Sequence, residues 1–126
     1  MSGERARGFT LLELLVVMAI IATLLTIAVP RYFRSLERSR ETVLQQDLTT
    51  LRESIDKFYG DTGKYPETLA VLVDKRYLRA IPIDPIAKSA EKWIVVNSDD
   101  PDDTGIKDVK SSAEGAGLNG IPYATW

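Results

Sequence analysis

The sequence predicts an α+β chain in which one long amino-terminal helix, part membrane span and part stalk, packs on a small antiparallel β-sheet head. Three observations carry that prediction. Phe9 to Val29 is almost uninterrupted apolar sequence with Glu13 as its one charge. From Leu44 to Phe58 apolar residues recur at helical spacing, and no Gly or Pro interrupts Arg31 to Tyr59. Beyond Gly60 the chain breaks into short apolar runs bounded by Pro, Gly and Asp, the pattern of strands and turns.

The chain of 126 residues has 44% hydrophobic and 27% charged residues, which reads as one ordinary small domain until the apolar segment is set apart. A helix of ~20 residues at 1.5 Å per residue spans the roughly 30 Å hydrocarbon core, so Phe9 to Val29 just suffices. A secretory signal peptide fits poorly, because its core is usually ~7–15 residues and Thr26 and Pro30 spoil a cleavage site after Ala28. A buried core helix would need more apolar sequence elsewhere to cover it. A plain anchor explains the length but not Glu13, since a carboxylate in a span costs roughly 2.5–3.5 kcal/mol, less near an end. Either Glu13 snorkels to the headgroups or it meets a cation. Arg5 and Arg7 precede the span while Arg31, Arg34, Arg38 and Arg40 follow it, so the Lys/Arg balance does not orient it.

Leu44, Leu48, Leu51, Ile55 and Phe58 fall on one helical face and point to a core. Gln45, Gln46, Asp47, Arg52, Glu53, Asp56 and Lys57 between them read as a solvated or subunit-facing surface. One helix is expected from Phe9 to about Tyr59, with Gly60 as its stop. Pro30 lies inside it and should kink or locally unwind the segment from Ala22, unless it simply closes the span.

In the head, Tyr65-Pro66-Glu67-Thr68 opens a short second helix with Leu69, Leu72 and Val73 inward, ending near Lys75 to Tyr77. Ile81 to Pro85 reads as an extended connector. Lys92 to Val96 and Gly105 to Lys110 read as two strands joined by the turn Asn97 to Thr104, with a third short strand expected near Tyr123 to Trp126.

The motif Gly8-Phe9-Thr10-Leu11-Leu12-Glu13-Leu14-Leu15-Val16-Val17 resembles the class III signal sequence of type IV pilins and type II secretion pseudopilins. The run Phe58-Tyr59-Gly60-Asp61-Thr62-Gly63-Lys64-Tyr65-Pro66, then Tyr77-Leu78 and Pro82-Ile83-Asp84-Pro85, resembles the major G-type pseudopilin. Lack of cysteine agrees, since many pilins staple their carboxyl-terminal loop with a disulfide. The resemblance covers about Gly8 to Pro85 and implies a pilin-like fold. It implies that a prepilin peptidase cuts after Gly8 and methylates the new amino terminus at Phe9. It makes Glu13 the assembly residue, its carboxylate meeting the Phe9 ammonium of a neighbouring subunit. Segments 1–8, 9–30, 31–59 and 60–126 are then leader, membrane and filament-core helix, amphipathic periplasmic helix and periplasmic head. The expected function is the structural subunit of a secretion pseudopilus, a homo-oligomeric helical filament in the periplasm. Its partners would be minor pseudopilins, the peptidase and an inner-membrane assembly platform, with the amino terminus cytoplasmic. A type IV pilin for adhesion, motility or DNA uptake is the nearest alternative, and an anchored periplasmic binding module a more distant one.

The resemblance also raises calcium, which G-type pseudopilins generally bind in a carboxyl-terminal loop. Asp108 to Gly115 is a short relative of that loop, and no aspartate follows it. Asp99, Asp100, Asp102 and Asp103 offer another oxygen cluster, equally readable as a solvated turn. An enzyme is not expected. Without cysteine or histidine, thiol nucleophiles, ordinary zinc sites and Ser-His-Asp triads are excluded. The glycine-rich run Gly115 to Gly120 lacks the lysine of a phosphate-binding loop. A net charge of -2 argues against a nucleic-acid partner.

Overall fold

The computed structural model describes residues 8–126; residues 1–7, which fall in the expected leader, lie outside the described residues. In chain order the elements are α1 (Leu11–Thr62), α2 (Leu69–Asp74), β1 (Ile94–Asn97), β2 (Ile106–Lys110) and a 3₁₀ turn (Tyr123–Thr125). This is the α+β arrangement expected, one long helix with a two-stranded antiparallel sheet. The chain divides into two compact units, one ending at Leu36 and the other running from Glu37 to Trp126.

In the first unit, every residue of α1 up to Ser35 is exposed. Its most apolar 18-residue window has a mean hydropathy of 2.6 and is wholly uncovered, so the segment is long and apolar enough to cross a membrane. Residues 22–30 are helical rather than unwound. Pro30 deprives the Thr26 carbonyl of its intrahelical donor, yet one missing bond leaves the ladder on either side in place. The hydroxyls of Thr23 and Thr26 donate back to the carbonyls of Ala19 and Ala22, each at 2.8 Å.

In the second unit, Leu44, Leu48, Leu51 and Ile55 are almost wholly buried against Leu72, Leu78, Trp93, Ile106, Val109, Ala113 and Tyr123. Phe58, half-buried, extends the stripe to Tyr77, the rings meeting edge to face at 5.4 Å. The helix passes Gly60, the expected stop, by two residues and ends at Thr62. The residue that takes the left-handed turn is Gly63, at φ 73, its N–H donating to the Tyr59 carbonyl at 2.8 Å. α2 begins at Leu69 rather than at Pro66, because Pro66 is committed elsewhere: its carbonyl accepts the Ile106 N–H at 2.7 Å.

β1 and β2 pair Ile94 with Lys110, Val95 with Val109 and Val96 with Asp108, with a bulge before Asn97 meets Ile106. The inner face of β2 supplies Ile106 and Val109 to the core. A third strand near Tyr123 is not formed. That segment is the 3₁₀ turn, joined to the preceding chain by a single antiparallel bridge between Ala116 and Pro122, with the Tyr123 and Trp126 rings packed edge to face at 5.0 Å.

Candidate functional site

Gly8, Phe9 and Thr10 precede α1 and are exposed, Phe9 at 81%. A Cβ placed on Gly8 would meet nothing among the described residues, so folding of this chain makes no demand for glycine there. Thr10 caps the helix: its Oγ1 accepts the Glu13 N–H at 3.1 Å and its carbonyl accepts the Leu14 N–H at 3.1 Å. Thr10 and Glu13 therefore hold the first and last positions of an S/T-x-x-E start signal, a pattern legible in the sequence. Glu13 sits in the first turn, where the helix dipole favours a negative charge. Among the described residues no side chain donates a hydrogen bond or ion pair to its carboxylate.

Around the end of α1 the aromatic and acidic residues of the FYGDTGKYP run form a clasp. Tyr59 stacks on Tyr65 at 4.4 Å, and the Tyr77 hydroxyl donates to Asp61 at 2.7 Å, a bond that raises the Tyr77 pKa. The Tyr65 N–H donates to the Asp103 carboxylate at 2.9 Å. Gly105 is required here, because a Cβ would lie 2.5 Å from the Tyr65 carbonyl oxygen. Asp84 of the Pro-Ile-Asp-Pro run is buried; its Oδ1 accepts the N–H groups of Ile86 and Ala87 at 2.9 and 3.0 Å, and its Oδ2 accepts the Ser111 hydroxyl. These motif residues work as fold determinants.

The five aspartates considered for calcium are not brought together. Asp99 pairs with Lys107 at 3.3 Å, Asp100 accepts the Asp102 N–H at 2.9 Å, and Asp103 holds Tyr65. Asp108 pairs with Arg52 at 2.8 Å. Among the described residues no three His, Cys, Asp or Glu side chains converge as metal ligands. An ion wanting six to eight oxygens does not fit a set in which Asp99, Asp100, Asp103 and Asp108 each serve a separate bond.

Of the α1 face expected to be solvated or subunit-facing, Gln45, Gln46, Glu53, Asp56 and Lys57 are exposed, whereas Arg52 and Asp47 are half-buried against the head. Arg52 reaches β2 and the last residue, donating from Nε to Asp108 and from Nη2 to the carbonyls of Val109 and Trp126, at 3.0 and 2.6 Å. Glu41 accepts the Leu118 N–H at 2.7 Å and the Tyr123 hydroxyl at 2.9 Å. The glycine-rich run is thus a turn pinned to α1. Burial and the Glu41 carboxylate push the Tyr123 phenol up to about 12. Burial first, then the nearby Asp84, raises Asp47 above the usual carboxylate range.

The prokaryotic N-terminal methylation motif matches residues 4–29. The chain is 33% identical over 100 residues to the type II secretion system core protein G of Pectobacterium carotovorum, covering 67% of this chain and 64% of that protein. It thus spans less than two thirds of that relative's length. It is 32% identical over 98 residues to the core protein G of Klebsiella pneumoniae, covering 65% of this chain and 70% of that protein. Similarity to the type IV major pilin PilA of Myxococcus xanthus is 35% over 65 residues, covering 52% of this chain and 30% of that protein. No solved structure matches. An amino-terminal methylation motif leading into an uncovered apolar helix, followed by a head whose clasp residues lie within the stretch that resembles G-type pseudopilins, agrees with these matches: the chain belongs to the type II secretion core protein G family.

Proposed function

We propose that this chain is the structural subunit of a type II secretion pseudopilus, held in the inner membrane by the first half of α1 with its head in the periplasm. The observation that carries the reading is Glu13, a carboxylate in an otherwise apolar, uncovered helix and without a bonded partner among the described residues. Such a charge is costly in hydrocarbon and gains most from a cation brought by another molecule. Cleavage after Gly8 frees an ammonium at Phe9, four residues from Glu13, and joining subunits place one chain's ammonium against the next chain's carboxylate. Gly8 serves the peptidase rather than the fold, in keeping with the open space around it. Methylation leaves the Phe9 amine cationic. The apolar surfaces then pack against one another along the filament, and growth of the filament pushes exported proteins toward the outer membrane. The subunit works by assembly and not by catalysis. Partners follow from that reading: further copies of the chain, minor pseudopilins, the processing peptidase and the inner-membrane platform.

The pilin relative favours a second reading, a surface pilus, but its match covers only 30% of that protein. Replacing Glu13 with Leu tests the assembly step. Wild type and E13L should both remain in the membrane fraction with an intact mass that begins at a singly methylated Phe9. Only wild type should pellet as filaments when cells overproducing the chain are sheared. Normal filaments from E13L overturn the role given to the carboxylate, and a mass beginning elsewhere overturns the processing.

A further inference from the structure

We propose that Arg52 is the built-in cation of the head, closing the carboxyl-terminal segment in place of a divalent metal. After β2 the chain has little apolar material with which to hold itself down; Ala113 and Tyr123 are its buried hydrophobic residues. Three oxygens, two from neighbouring residues of β2 and one from Trp126, converge on one guanidinium instead: Asp108 Oδ1 at 2.8 Å, the Val109 carbonyl at 3.0 Å and the Trp126 main-chain oxygen at 2.6 Å. One carboxylate with two backbone carbonyls is the kind of hard-oxygen set that calcium collects. A guanidinium satisfies it with fewer oxygens, because its N–H groups form a fixed planar fork that stays charged at all ordinary pH.

About three turns earlier on α1, Glu41 carries the opposite charge and holds Leu118 and Tyr123. The last dozen residues are therefore fastened at two points by two charges of one helix. Aspartates that could have gathered around an ion are engaged elsewhere: Asp103 on the Tyr65 N–H, Asp99 on Lys107. Since the cation is covalently part of α1, chelation cannot remove it. The head should keep its fold in calcium-free surroundings.

The test is thermal unfolding of the full chain in non-ionic detergent, followed by Trp93 and Trp126 fluorescence, with limited proteolysis of residues 111–126. Wild type should melt at the same temperature, within about 1 °C, in chelator and in millimolar calcium. R52Q should lower the midpoint by roughly 5–10 °C. It should also expose residues 111–126 to protease, and calcium should not restore either. A wild-type midpoint that falls in chelator overturns the proposal, as does an R52Q chain with unchanged melting and protection. If R52Q does not accumulate, R52K keeps the charge but loses the fork: weaker protection without calcium sensitivity supports the proposal, and full protection overturns it. Filaments are not needed for any of these readings, so the outcome is separate from the secretion role.

Discussion

The two parts of α1 form one unbroken helix but obey different rules. Up to Ser35 every residue is exposed although most are apolar; from Leu44 to Ile55 the apolar residues are buried and the polar ones mostly are not. What separates them is the arrangement of apolar residues, all round in the first part and along a single stripe in the second. The stripe is satisfied within the chain. The first part, apolar on every side, is uncovered within the chain and long enough to cross a membrane.

The largest effect that tests this contrast comes from shortening one leucine in each part. Leu51→Ala removes a wholly buried side chain and should cost the head ~2–5 kcal/mol in thermal or denaturant unfolding. Leu15→Ala, at an exposed position of the other compact unit, should leave the unfolding of the head unchanged. Equal losses from the two variants would break the division of the helix.

Tyr123 sharpens the contrast on the head side, where polar groups are satisfied internally. Tyr123→Phe removes the hydroxyl bonded to Glu41 and should cost about 1–1.5 kcal/mol at neutral pH. It also has a pH signature. The folded phenol is raised from 10.0 to about 12, so the fold favours its neutral form. That contribution is complete below pH 10.0 and is lost as pH rises through about 12. Compared with Y123F, wild type should lose extra stability across that window in alkaline melting curves. Parallel pH profiles would show that the hydroxyl is not held as described.

Much of this was legible in the sequence because it rests on short-range pattern. The four-and-three spacing of Leu44, Leu48, Leu51 and Ile55 marks the core face without reference to any partner. The strands around Ile94 and Ile106 follow from β-branched runs on either side of a polar turn. Arg52 was not legible, because its partners lie 56 to 74 residues away and nothing local distinguishes it from Glu53 or Lys57. Tyr123 to Trp126 read as a strand because aromatic residues suit strands, whereas ring packing and the fastening to α1 made a 3₁₀ turn of it. At the amino terminus Glu13 stands out as a lone charge, and Thr10 three residues before it completes an equally local S/T-x-x-E pattern.

Two carboxylates on the same helix complete the contrast, and the smaller effect belongs to the one inside the head. Glu13 has no bonded partner among the described residues, and the proposed assembly role would supply one from outside. Asp47 is half-buried and faces Asp84, a group of like charge, so its pKa is raised above 3.8 by burial and then by that neighbour. A raised carboxylate pKa means that the fold favours the protonated form: the favourable contribution is present below pH 3.8 and is lost as pH rises through the folded value. At neutral pH the charge on Asp47 therefore destabilises the head. Asp47→Asn, which keeps the shape and removes the charge, should raise stability at pH 7 by less than about 1 kcal/mol. The gain should disappear in melting curves recorded below pH 3.8, where Asp47 is neutral in wild type as well. A loss of stability at pH 7 would instead mean that Asp47 is held by a donor, and that carboxylates in both parts of α1 depend on a partner.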